Sequence, residues 1–170
     1  MRIAMRLVVV AALVGGMSAP ALAQQASASS PAQAMKGFAS SADVAALVAK
    51  AKRDRKGDQT DIVQPLLNLA PYTVFISTRF TTTKPNVHER EAELFYVIDG
   101  SGTIVTGGKL VKEVRTNAEN LIGTAIEGGT SQHVTKGDFV MVPEGTPHWF
   151  SVIDGSPLVV MALHLPRPAK

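Results

Sequence analysis

The sequence predicts an all-β fold, a jelly-roll β-barrel preceded by one short helix. Three observations carry that prediction. From Leu66 onward the chain breaks into short runs rich in β-branched and aromatic residues, separated by turns built on glycine and proline. One window, Ser41 to Lys56, has helical rather than alternating periodicity. Two further stretches, Asn86 to Gly100 and Gly137 to Phe150, set histidine and glutamate beside apolar strands. Many short strands with evenly placed turns are the pattern of a jelly roll.

In chain order, residues 1–23 have the three parts of an export signal. Arg2 and Arg6 form a basic start, Leu7 to Gly16 an apolar run, and Ala21-Leu22-Ala23 a small-residue cleavage site. The apolar run is shorter than the ~20 residues that a membrane-spanning helix needs. No cysteine follows the cleavage site, which excludes a lipoprotein. The expectation is cleavage after Ala23 and a secreted, periplasmic protein with no remaining membrane segment.

Cleavage changes the charge argument. The 170 residues carry 17 Lys and Arg against 14 Asp and Glu, and the signal removes Arg2 and Arg6 but no acid, leaving 15 against 14. No basic run remains to track phosphates, so nucleic acid is not expected as a partner. The remaining chain, about 147 residues, suits one domain with a sizeable core. Zero cysteines exclude disulfides, thiolate metal sites and a cysteine nucleophile.

Residues 24–40 are rich in Ala, Ser, Gln and Pro and are expected to be flexible. Residues 41–64 are expected to form the helix and a linker, with Ser41 as cap and Gly57 as stop. Val44, Leu47, Val48 and Ala51 share one helix face, suited to packing on the barrel. Residues 65–166 form the expected barrel domain. Tyr72 to Phe80 reads as a strand. Leu94 to Ile98 leads into Asp99-Gly100-Ser101-Gly102, read as a hairpin turn, and Thr103 to Thr106 returns. Leu121 to Ile126, His133 to Val134, Phe139 to Val142, Trp149 to Val152 and Leu158 to Leu165 complete the set. The run Leu158 to Leu163 has more apolar faces than one barrel interior needs, which predicts a homodimer.

Side chains alternate across a strand, so Asn86 and His88 share a face, as do Glu93, Phe95 and Val97, and likewise His148, Phe150 and Val152. If the apolar members line the barrel, Glu93 and His148 point into an apolar cavity. A carboxylate and imidazoles are expensive there unless paired or bound to metal. Two imidazoles and one carboxylate make an open transition-metal site. His88, Glu93 and His148 are therefore the expected ligands of one divalent metal, with Asn86 auxiliary. Iron, manganese or nickel is preferred, and zinc is the remaining option, because closed zinc sites use four ligands and often thiolate. Tyr96 is expected outside the barrel, and His133 and His164 are expected to be hydrogen-bonded or exposed rather than ligating. Arg79 and Arg90 are candidates to grip a substrate carboxylate, with Arg90 read as a surface charge. Proton transfer falls to metal-bound water or to Glu91, so Glu91 and Arg79 are the catalytic candidates.

These stretches resemble the two motifs of the cupin superfamily in its small single-domain form. The first family motif ends His-x-His, three or four residues, Glu, six residues, Gly; here His88, Glu93 and Gly100 keep that spacing. The second runs Gly, five residues, Pro-x-Gly, two residues, His, three residues, Asn; here Gly137, Pro143, Gly145 and His148 match. Asn86 stands in place of the first histidine, Val152 in place of the final asparagine, and the leading glycine is absent. The resemblance covers about residues 65–166 and implies a cupin-type jelly-roll barrel with a metal site. Three functions stay open: a metal-dependent enzyme acting on a small molecule by oxygenation, isomerisation or elimination; a non-catalytic binder of a small ligand, with or without metal; and a structural dimer with a vestigial pocket. The first is preferred.

Overall fold

A computed structural model describes residues 35–167. The expected export signal and residues 24–34 of the expected flexible segment lie outside the described residues. Helix α1 (Ser41–Asp54) is capped by Ser40 rather than Ser41. The Ser40 hydroxyl accepts the Asp43 N–H at 3.2 Å, and the Asp43 carboxylate accepts the Ser40 N–H at 2.7 Å. Two otherwise orphaned donors at the helix start are thereby satisfied reciprocally. The helix stops at Asp54, short of Lys56, because Arg55 has left the helical region with ψ 130°.

Strands follow in the order β1 (Asp61–Leu69), β2 (Tyr72–Arg79), β3 (Asn86–His88), β4 (Glu91–Thr106), β5 (Lys109–Val111), β6 (Val114–Arg115), β7 (Asn120–Ile122), β8 (Ala125–Glu127), β9 (Thr130–Thr135), β10 (Phe139–Val142) and β11 (His148–Pro166). The paired strands are antiparallel, in the order β1-β2-β11-β3-β7-β6, while β4 pairs with β9, β10 and β11, and β5 pairs with β8. This is a jelly-roll barrel with one helix laid on it. Strand β1 begins at Asp61, inside the segment expected as linker. Among the described residues no helix is long and apolar enough to cross a membrane.

Two expected elements are different in kind. Asp99 to Gly102 is not a hairpin turn, because β4 runs through it as one 16-residue strand. Likewise, Trp149 to Val152 and Leu158 to Leu165 belong to one 19-residue strand. The glycines serve close approach instead. A Cβ on Gly100 would lie 2.6 Å from the Pro157 carbonyl oxygen, and one on Gly102 would lie 2.5 Å from that of Val152. Without side chains there, β4 and β11 can run against each other through their bends. A bulge between Phe150 and Val152 also breaks the alternation. Phe150 stays inside at 2% exposure, whereas Val152, expected on the same face, is 44% exposed.

The two faces of β11 have separate partners. Leu158, Val160 and Ala162 join Phe95, Val97, Ile104 and Phe150 in the barrel core. Val159, Met161 and Leu163 pack outward with Leu66, Val74 and Ile76 beneath Val44, Leu47 and Val48 of α1. The apolar surplus that suggested a homodimer is thus covered by the chain's own helix. The Ser40 cap should matter accordingly: Ser40→Ala is expected to lower unfolding free energy by about 1 kcal/mol in urea titration. An unchanged midpoint would show that the barrel alone holds α1.

Candidate metal centre

Strand register assembles the site. Asn86 on β3 is the cross-strand partner of His148 on β11. Further along β11, His164 is the cross-strand partner of Glu93 on β4. The Pro143-to-Gly145 bend is tied to the same place, since the Gly145 N–H donates to the His88 carbonyl at 2.7 Å. Gly145 has φ +68°, a left-handed conformation that a residue with a Cβ adopts only with strain.

Glu93 is the centre of this arrangement. It is 5% exposed, and its Oε2 makes no hydrogen bond of good geometry among the described residues. Facing that oxygen are His148 Nε2 at 3.1 Å and His88 Nε2 at 3.6 Å. Burial pushes the Glu93 carboxyl up, but the close approach of His148 and the charges of His164 and His88 outweigh it. The group is held below the ordinary carboxylate value and is ionised.

Both imidazoles are pinned from behind. His88 Nδ1 lies 2.6 Å from Asn120 Oδ1, and His148 Nδ1 lies 3.1 Å from the Thr146 carbonyl. In the neutral rings each acceptor takes the Nδ1 proton, which leaves an Nε2 lone pair for a metal. One donor atom each from His88, Glu93 and His148 lie within 4.8 Å of one another. The three residues fit a divalent transition metal: a buried orphaned carboxylate oxygen, two oriented imidazoles and no sulfur. Asn86 is adjacent, with its amide nitrogen 3.1 Å from His88 Nε2.

The structure also revises several single-residue expectations. His164 is at the centre, with Nε2 3.4 Å from Glu93 Oε1 and Nδ1 3.3 Å from Glu91 Oε2. It repeats the pattern of the other two, with one nitrogen toward an acceptor and one toward Glu93. The missed signal was alternation, since Leu158, Val160 and Ala162 carry the inward face on to His164. Glu91, expected as a proton-transfer group, is the acceptor behind His164 and lies 4.0 Å from His88 Nδ1. Asn120 was missed because β7 reaches β3 only through tertiary pairing. His133 is exposed and bonded to Asp154 at 2.8 Å, as expected of a non-ligand. Tyr96 lies on the outside against Phe139, and Arg90 is a surface charge 3.8 Å from Glu119.

Comparison with known families decides the grouping. The cupin family profile matches residues 68–166. The chain belongs to the cupin family. No curated protein matches it. Among solved structures, a Bacillus halodurans protein is similar at 14% identity and TM-score 0.51, covering 79% of this chain and 85% of its own. A Thermus thermophilus protein is similar at 18% identity and TM-score 0.49, covering 69% of this chain and 94% of its own. The hydroxypropylphosphonic acid epoxidase of S. wedmorenis is similar at 17% identity and TM-score 0.49, and this cupin spans 51% of that chain. At these identities the likeness is one of fold.

The ligand set yields a graded expectation. His88→Ala and His148→Ala should abolish metal retention on gel filtration. Glu93→Gln should weaken it by removing the negative ligand, and Asn86→Ala should do less. Asn86→His should tighten it. Because neutral imidazole is needed, retention should fall on acidification, as protons compete for Nε2. Metal held by His88→Ala as well as by the unaltered chain would show the ligand assignment to be wrong.

Proposed function

We propose that this chain is an exported cupin that holds one divalent first-row metal at His88, Glu93 and His148. On this reading it acts on a small organic molecule by oxygenation, isomerisation or elimination. The observation that carries the reading is Glu93 Oε2, buried and faced by two Nε2 atoms whose rings are fixed by Asn120 and Thr146. A carboxylate in that setting, surrounded by lone pairs, is stabilised by a cation. Iron, manganese or nickel suits three ligands with open positions, and zinc is the remaining option. When bound, such a metal supplies Lewis-acid or oxygen-activating chemistry.

The chain's own residues serve the same end. Phe95 and Phe150 pack edge to face at 5.2 Å between centroids, next to His148, and keep water from that side. His164, held by Glu91 behind it, faces the second oxygen of Glu93. A second reading, a non-catalytic small-ligand binder, is supported by Asn86 in place of an imidazole and by Glu91 being engaged with His164 rather than free.

Elemental analysis of anaerobically purified protein separates these readings first. Near-stoichiometric iron, manganese or nickel is expected, and metal-free protein would favour the binder. Depletion of a component from a small-molecule pool by the metal-loaded chain, but not by His148→Ala, should then establish turnover. For export, mass spectrometry of protein from its native host should find Gln24 as the first residue, and an intact Met1 would reject it. We propose in addition that the chain forms a homodimer, now on the support of the exposed Phe139 and Met141 on β10 beside Tyr96 rather than of Leu158 to Leu163. Sedimentation of the same sample should show a dimer.

A further inference from the structure

Arg79 stands near the metal centre with its charge unanswered. It lies on β2 as the cross-strand partner of Asp61. Its guanidinium sits 4.7 Å from the centre of the Phe150 ring. Among the described residues, no carboxylate reaches it within ion-pair distance. Its single hydrogen bond there runs from Nη1 to Thr83 Oγ1 at 3.3 Å, and its Nε is buried without a partner. Burial lowers its pKa, which the more distant Asp61 and Glu93 only partly offset. Two residues back on the same strand face, Ser77 is 3% exposed and its Oγ is also unpartnered. A guanidinium is costly in such a place unless an anion meets it.

The space before Arg79 is a cavity of about 660 Å³ lined by Thr60, Asp61, Arg79, Thr83, Lys84 and Asn86. That volume is in the range that holds a small molecule. Its polar edge is fixed, because the Trp149 Nε1–H donates to the Thr83 carbonyl at 2.6 Å. Two cations face one carboxylate in this lining. Asn86 is common to the cavity and to the metal centre, where it touches His88.

We infer that this cavity is the substrate subsite and that it takes a small carboxylate. Arg79 grips the anion with its planar fork, Lys84 adds charge at the rim, and the rest of the molecule extends past Asn86 toward His88, Glu93 and His148. The inference rests on the proposed metal site for what the substrate meets there; its anion half stands on Arg79 alone. Calorimetric titration of the full chain, metal-free and metal-loaded, with benzoate, succinate, inorganic phosphate and neutral benzamide tests the two separately. Benzoate or succinate should bind in both forms, and benzamide should not. Arg79→Gln should weaken carboxylate binding about tenfold or more, the range for a lost charged hydrogen bond. Metal content should stay unchanged, and Arg79→Lys should recover part of the affinity. If Arg79→Gln does not fold, Thr83→Val and Lys84→Gln should each weaken binding several-fold. Carboxylate affinity unaltered in these variants, benzamide binding as tightly as benzoate, phosphate preferred to every carboxylate, or no binding at millimolar concentration would each overturn the assignment. Loss of metal binding with retained carboxylate binding would instead remove the metal reading alone.

Discussion

A buried carboxylate that must be answered by cations or metal is the constraint around which this barrel is arranged. Glu93 is almost entirely sequestered between β4 and β11, and taking an ionised carboxylate out of water costs several kcal/mol unless partners replace the solvent. Three imidazoles face it, two at one oxygen and one at the other; protonated they answer the charge themselves, and neutral they leave that task to a bound cation. Each imidazole is in turn oriented by an acceptor behind it: Asn120, Thr146 or Glu91. The second layer matters as much as the first, because a ring free to flip presents the wrong nitrogen.

That arrangement needs strands held in register, and the long strands β4 and β11 provide it. Their pairing sets Glu93 opposite His164, while β11 also sets His148 opposite Asn86. A slip of one residue would turn every ligand to the opposite face. Register is defended from both sides of β11. Leu158, Val160 and Ala162 are locked into the barrel core, and Val159, Met161 and Leu163 are locked beneath α1. The helix is thus part of the machinery that positions the site, although none of its residues reaches it.

Phe150 links the two functional regions. Its ring meets Phe95, which packs against His148, and its face also carries the guanidinium of Arg79. An aromatic face favours a cation through its quadrupole without neutralising it. Arg79 is therefore held in place against the ring while its Nε stays without a partner among the described residues.

The sequence by itself determined the fold class, the helix face and three residues of the centre. Each follows from local rules: alternation, 3.6-residue periodicity and the spacing of His88, Glu93 and His148 around their glycines. It misplaced what depends on contacts between distant segments. Gly100 and Gly102 look like a turn, and only the neighbouring backbone of β11 shows that they mark a close crossing. Leu158 to Leu163 looks like an interface with a second copy until α1 is seen to cover it. His164 fits no motif; alternation puts it on the inward face, but only the ladder sets it across from Glu93. Asn120, which orients His88 from β7, has no local signature, whereas Thr146 orients His148 from within the same bend. Chemistry-bearing residues can be read from spacing because the chain fixes it; their partners come from strand pairing, which the tertiary structure alone decides.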